Sequence, residues 1–83
     1  MGGQKIKVNI LSEAGPLFTG EVDCLFVPSK NGETAILPYH TPLMLLMTKG
    51  EVSIVEGHRR KITDIEKGIL RVDDNQAFVL VNL

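Results

Sequence analysis

An all-β fold, a sandwich or barrel of short strands, is what this sequence predicts, and three observations carry the prediction. Apolar residues recur with a period of two over short segments, the mark of strands with a buried face. Residues that favour turns separate these segments at near-regular spacing. No window shows the 3.6-residue apolar period of an amphipathic helix. At 83 residues the chain is long enough for one domain only. A domain of this size buries only about 60% of the surface that its unfolded chain exposes, so its core is thin.

Each element follows from its own pattern. Ile6, Val8 and Ile10 alternate with Lys5, Lys7 and Asn9 and form the first strand. Gly15-Pro16 reads as a turn, after which Phe18, Gly20, Val22, Cys24 and Phe26 hold one face of a second segment. Asn31-Gly32 is the strongest hairpin signal in the chain. Leu43 to Met47 is the longest uninterrupted apolar run, and its two methionines suit either core filling or an adaptable contact surface. Lys49-Gly50 closes it, and Val52 and Ile54 then alternate with Glu51 and Ser53. Glu56-Gly57, Lys67-Gly68 and Asp73-Asp74-Asn75 supply the remaining turns. Ala77, Val79 and Val81 alternate with Phe78 and Leu80, so the last strand is apolar on both faces. Such a strand needs a central place in the sandwich or contact with something outside the chain.

Composition narrows the function. The apolar fraction of 43% fits a folded domain. A net charge of −1 gives no long-range field toward nucleic acid or a membrane surface. The single cysteine, Cys24, has no partner within the chain, which suggests a reducing compartment and a core held by packing. No stretch approaches the roughly 18 apolar residues of a membrane-spanning helix, so no direct membrane insertion is expected. Met1-Gly2-Gly3 begins like a myristoylation signal, but Ile6 stands where Ser or Thr is required. Residues 1–4 are expected to be loosely held, with the domain occupying 5–83.

Catalytic chemistry finds no constellation. With His40, His58 and Cys24 at no workable spacing, no metal site is expected. Most acidic residues fall in turns or on polar strand faces, and Asp64 and Glu66 read as a solvated edge. Ser12, Ser29 and Ser53 lack a nucleophile-elbow context, and no glycine cradle precedes a helix. No cofactor is therefore expected. His58-Arg59-Arg60-Lys61 is a basic cluster, but single-strand nucleic-acid binding wants stacking aromatics as well. The three Phe fit core positions instead, so the cluster reads as a charged hairpin end that keeps an edge soluble.

One stretch stands apart. In Ile36-Leu37-Pro38-Tyr39-His40-Thr41-Pro42-Leu43, two prolines fix φ and restrict their predecessors. His40 is thus presented by a stiff loop, either to a partner or merely to satisfy neighbouring backbone groups. From the residues alone, the reading is a small β domain that binds another protein.

Read together, several blocks resemble the N-terminal β-sandwich of the epsilon subunit of rotary proton-translocating ATP synthases. They are Leu17-Phe18-Thr19-Gly20-Glu21-Val22, Val27-Pro28-Ser29-Lys30-Asn31-Gly32-Glu33 and the Ile36–Leu43 block with its His between prolines. Gly50 with Ile54-Val55, Gly68-Ile69-Leu70-Arg71-Val72 and Val79-Leu80 follow in register, so the resemblance runs from Lys5 to Leu83. It implies a flattened β-sandwich of about ten short strands. It also implies a non-catalytic rotor role, coupling the gamma stalk to the membrane ring of c subunits. That would place the chain peripherally on the cytoplasmic face of a bacterial inner membrane. On the resemblance, Ser12, His40, Thr41 and Pro42 meet gamma, with Pro38 and Pro42 stiffening the loop. Ser29, Lys30, Asn31, Gly32 and Glu33 face the c ring, where a carboxylate accepts hydrogen bonds from basic loop residues.

Two departures from the family pattern stand out. Lys67 replaces the first of two glycines. The sequence also ends where many members begin a C-terminal helical hairpin that inhibits ATP hydrolysis, so neither inhibition nor ATP sensing is expected of these residues. If that hairpin is absent, the surface it covers is expected to be either polar or an exposed apolar patch. The competing reading is a free-standing β-sandwich adaptor that shares the fold and not the task.

Overall fold

The computed structural model describes residues 3–83 and consists of nine strands in two sheets packed face to face. The strands are β1 (Ile6–Ser12), β2 (Gly15–Val22), β3 (Cys24–Ser29), β4 (Gly32–Ile36), β5 (Leu43–Met47), β6 (Gly50–Glu56), β7 (Arg59–Ile65), β8 (Lys67–Asp73) and β9 (Gln76–Asn82). The count is nine, not the ten or so expected, and no helix occurs among the described residues. Of the expected loose segment 1–4, Met1 and Gly2 lie outside the described residues, while Gly3 and Gln4 are exposed and outside any strand.

One sheet has the order β2-β1-β9-β8-β5, and the other β4-β3-β6-β7. Every pairing is antiparallel except β1 with β9, which run parallel at the middle of the larger sheet. The chain changes sheet at single residues or short corners: Asp23, the loop 37–42, Thr48-Lys49 and Glu66.

Period two sets what is buried. Ile6, Val8 and Ile10 of β1, Leu70 and Val72 of β8, and Ala77, Val79 and Val81 of β9 turn inward from the larger sheet. Leu25 and Val27 of β3, Ile36, Val52, Ile54 and Ile65 meet them from the smaller one. Burying each such side chain stabilises the fold by about 1.5–3 kcal/mol.

The segment from Phe18 to Phe26 is not one strand. At Asp23 the chain passes from one sheet to the other and the alternation resets, so Leu25 and Val27 point inward and Phe26 outward. Phe78 is 42% exposed, and Phe18 is only half-buried against the core. The expectation that the three Phe fill the core therefore fails, and branched aliphatic residues do that work. Gly15-Pro16 opens β2, and the turn before it is Glu13-Ala14.

Candidate docking surfaces

The registers define two ends of the sandwich. At one end lie the start of β1, Asp23, the loop 37–42, the Gly57-His58 turn and the Asp74-Asn75 turn. At the other lie the turns Glu13-Ala14 and Lys30-Asn31, the corner Thr48-Lys49, and Glu66.

His40 is at the first end. Its backbone N–H donates to the Leu37 carbonyl at 3.2 Å, and its Nδ1 lies 2.7 Å from the Thr41 carbonyl. A carbonyl only accepts, so Nδ1 carries a proton in this contact. Tyr39 holds a left-handed φ of 60°, and its N–H donates to Asn75 Oδ1 at 2.7 Å. Thr41 and Pro42 are exposed beside His40, and Pro38 is half-buried.

Ser12 is at the other end. Its Oγ donates to the Gly15 carbonyl at 3.1 Å and accepts from the Ala14 N–H at 3.2 Å. Ser29 repeats the device: its Oγ donates to the Gly32 carbonyl at 2.9 Å and accepts from the Asn31 N–H at 3.3 Å. Both turns read Ser-x-x-Gly, and both glycines take positive φ, 121° at Gly15 and 102° at Gly32. Asn31 keeps a negative φ, so Asn31-Gly32 forms its hairpin without the mirror-image turn. Lys30, Asn31, Gly32 and Glu33 are all exposed.

The structure therefore does not bring Ser12 and His40 together. Ser12 is level with Met47 across the sheet, at the far end of β5 from the His40 loop. With about 4.8 Å between strands and about 3.3 Å per residue along them, Ser12 and Leu43 are roughly 20 Å apart.

Between those two corners lies the outer face of the larger sheet, and it is apolar. Leu11, Leu80, Ile69 and Leu46 form one row across β1, β9, β8 and β5. Phe78 and Met44 stand in the next row. These six are 38–72% exposed, with Leu46 at the upper limit. A shallow groove runs along the first row, edged by Ser12, Lys67 and Asn82. Thus β9 has the central place its sequence asked for, but that place covers only its inner face. This face is an exposed apolar patch, and the run Leu43–Met47 supplies its far side.

On the outer face of the smaller sheet Phe26 and Ser53 are shielded by Arg60, while Ile62 is 50% exposed. Arg60 lies 5.3 Å from the Phe26 ring centre and donates to Ser53 Oγ at 3.4 Å, leaving Ser53 buried. At the edge between the two sheets, Lys61 of β7 sits 5.6 Å from the ring centre of Phe18 of β2 and donates to the Leu17 carbonyl at 3.4 Å. Two of the three cations in the basic cluster thus shield aromatic surface of this chain, and the aromatics are not open for stacking.

Charged pairs are few. Lys5 Nζ is 2.8 Å from Asp23 Oδ1, and Asp23 Oδ2 accepts the Gly57 N–H at 2.6 Å. The Lys5 side chain, then the Gly57 amide, hold the Asp23 carboxyl below its ordinary pKa, and Asp23 in turn raises Lys5. Burial pushes the Cys24 thiol up, with the Asp23 charge adding to it, the reverse of an activated nucleophile. Among the described residues no group of three His, Cys, Asp or Glu side chains is placed to hold a metal ion. No helix among them is long and apolar enough to cross a membrane.

The arrangement suits binding: one uncovered apolar sheet face, a stiff loop at one corner and a polar turn at another. Residues 5–83 match the family described as ATP synthase, Delta/Epsilon chain, beta-sandwich domain. The chain belongs to that family. The ATP synthase epsilon chain of Leptospira interrogans is 35% identical over 82 residues, which are 99% of this chain and 65% of that one. The epsilon chain of Hydrogenovibrio crunogenus is 34% identical over 77 residues, 93% of this chain and 54% of its own. This chain therefore spans just under two thirds, or about half, of the length of these relatives. The same fold recurs in a chain of the Tetrahymena thermophila mitochondrial ATP synthase central stalk and c ring, with a TM-score of 0.83 at 12% identity. That match covers 100% of this chain and 67% of the other. A chain of the Euglena gracilis mitochondrial ATP synthase, solved as OSCP, F1 and c ring, has a TM-score of 0.86 at 16% identity, covering 96% and 53%.

The residues that sequence reasoning missed are Asn75 as a hydrogen-bonding hub and Asp23 as a corner tie. The hydrogen bonds of Asn75 to Tyr39 and Lys5 and of Asp23 to Gly57 span 34 to 70 residues, so no local pattern announces them.

Proposed function

We propose that this domain is a non-catalytic rotor element of ATP synthase, coupling the gamma stalk to the c ring during proton-driven ATP synthesis. One observation carries the reading: a sheet whose inner face is core presents an ordered apolar row on its outer face. Bare apolar surface of this kind is characteristic of a docking face, and a subunit held permanently in a complex is where it belongs. Gamma lies along the rows Leu11–Leu80–Ile69–Leu46 and Phe78–Met44, which lead from the Ser12 end toward the His40 loop. A partner on this face touches both corners, which supports assigning Ser12, His40, Thr41 and Pro42 to one interface although they are far apart. The prolines and the Tyr39 tether reduce the ordering lost on docking. The Ser29–Glu33 turn meets polar loops of the c ring, with Glu33 accepting hydrogen bonds from their basic residues. The bacterial epsilon-chain relatives support a place in a membrane-associated complex, on the cytoplasmic face of a bacterial inner membrane.

Titration of the purified chain against the gamma subunit of the same organism tests this reading. Tight one-to-one binding is expected. Leu46→Glu removes an apolar contact at a position 72% exposed, so it is expected to change stability by no more than about 0.5 kcal/mol while weakening gamma binding strongly. His40→Ala is expected to weaken binding more than stability. Wild-type affinity in both variants sinks the interface. Glu33→Lys is expected to impair ATP synthesis in energised membranes, and undiminished synthesis removes the c-ring contact. A folded chain that binds neither gamma nor the c ring is an adaptor for some other partner.

A further inference from the structure

We infer that Asn75 is the positioning residue of the His40 loop. The inference rests on the reading of that loop as a docking element. Asn75 ties three segments together. Its Oδ1 accepts the Tyr39 N–H at 2.7 Å, and its Nδ2 donates to the Lys5 carbonyl at 2.9 Å. Its own carbonyl accepts the Lys7 N–H at 3.3 Å.

Among the described residues, the bond to Tyr39 is the one side-chain hydrogen bond that links residues 37–42 to another segment. It falls at the strained point of the loop. Tyr39 is a bulky residue held at a φ of 60°, a conformation that its Cβ disfavours. Two prolines stiffen the loop on either side, but they do not select the left-handed turn between them. A short bond from outside the loop does. The His40 N–H to Leu37 contact and the His40 ring contact to Thr41 then complete the turn from within.

Asn75 is itself prepared for this task. Asp74 and Asn75 form the two central residues of the β8–β9 hairpin, at φ of 50° and 56°. Both positive values are those of a mirror-image type I turn, where Asn is among the residues that fit. The hairpin is rigid because β8 and β9 are interior strands of the larger sheet. The orientation of the docking loop is thereby referred to the sheet that carries the apolar face. The result is one rigid body bearing both parts of the interface.

Two substitutions separate the contributions. Asn75→Gly keeps the positive φ and removes both side-chain bonds. Asn75→Asp keeps the positive φ and the acceptor for Tyr39 while losing the donor to Lys5. Both lose the Lys5 bond; Asn75→Asp also sets a carboxylate oxygen near the Lys5 carbonyl, so recovery in that variant despite the repulsion reports the acceptor for Tyr39. The first readout is hydrogen exchange at the Tyr39 amide in the free chain. Asn75→Gly is expected to speed it by about tenfold or more, and Asn75→Asp to leave it near wild type. The second readout is gamma affinity, expected to fall about tenfold in Asn75→Gly and to recover in Asn75→Asp. Unchanged Tyr39 exchange in Asn75→Gly overturns the inference whether or not gamma binds. Faster exchange with undiminished gamma affinity overturns the positioning role, since the loop is then free to move without consequence. If the wild-type chain does not bind gamma, the rotor reading fails, and the exchange measurement alone still decides whether Asn75 holds the loop.

Discussion

The two ends of the sandwich are built on different physics. The His40 end is fastened by side chains that reach across the sequence: Lys5 to Asp23, Asp23 to Gly57, Asn75 to both Lys5 and Tyr39. The Ser12 end is fastened by local side-chain bonds, by close packing and by backbone bonds from Thr48 to Pro28 and from Glu66 to Asn82. Its two Ser-x-x-Gly turns satisfy themselves within four residues, and two glycines there let backbone approach its neighbours. A Cβ on Gly68 would run into the Leu80 carbonyl and the Met47 side chain, and one on Gly50 would lie 2.8 Å from Pro28 Cβ. The difference bears on function. A hydrogen-bonded frame fixes the direction of a loop, whereas self-contained turns present a polar tip that folds the same way whatever it meets.

The largest test of this contrast is Gly68→Ala. The clash is partly with backbone, so β8 and β9 must separate, and a loss of about 2 kcal/mol is expected in denaturant unfolding. A neutral result means the Ser12 end is looser than described. Asp23→Ala comes next and is expected to lower Tm by less than Gly68→Ala does, with a distinctive pH dependence. The folded Asp23 carboxyl has a depressed pKa, so its contribution is present above the ordinary aspartate value of 3.8 and fades as pH falls through the folded value. Lys5 has a raised pKa, so its share is full below its ordinary 10.5 and fades as pH rises through the folded value. The Tm gap between wild type and Asp23→Ala should thus be widest on a plateau at neutral pH. A gap that does not narrow in acid removes the ion pair as its cause.

Ser29→Ala tests the local device. Losing a turn-closing hydroxyl at an exposed tip is expected to cost about 0.5 kcal/mol, with no change at the far end. Altered exchange at Tyr39 in this variant would mean that the two ends are coupled. The smallest effect belongs to Lys49→Ala. Its pair with Glu66, at 3.8 Å, joins side chains that are 79% and 60% exposed. No change beyond measurement error is expected.

How much of the molecule is legible in its sequence follows the same division. Period two finds strands with a clear buried face, such as β1, β6 and β9, because alternation is written within a few residues, but not β7, most of whose residues are exposed. It also shows the two-sided character of β5 and β9, and with it the apolar face. The Asp74-Asn75 turn is legible from residue type, since few side chains tolerate two successive positive φ values. The break at Asp23 is not, because the apolar alternation runs straight through a one-residue corner and only tertiary packing reveals that the face has changed. Nor is the separation of Ser12 from His40. A shared interface in a family says nothing about distance, and only the strand registers place the two at opposite corners. The tethers of Asn75 and Asp23 are invisible for a plainer reason: a side-chain bond across 34 to 70 residues leaves no mark on either neighbourhood.

The parallel pairing of β1 with β9 sets an order of events. The first strand of the domain borders its ninth, with Lys7 opposite Gln76 and Ser12 opposite Val81. While β9 is still within the ribosome, β1 has only β2 beside it, and β8 has only β5. Each then offers an open edge, with apolar residues on both sides of β5 and β9 and no centre to join. Contacts so distant along the chain close slowly, and exposed edges are where strands pair wrongly. The larger sheet is therefore complete only when β9 enters between β1 and β8, and until then two open edges are exposed to association with other chains.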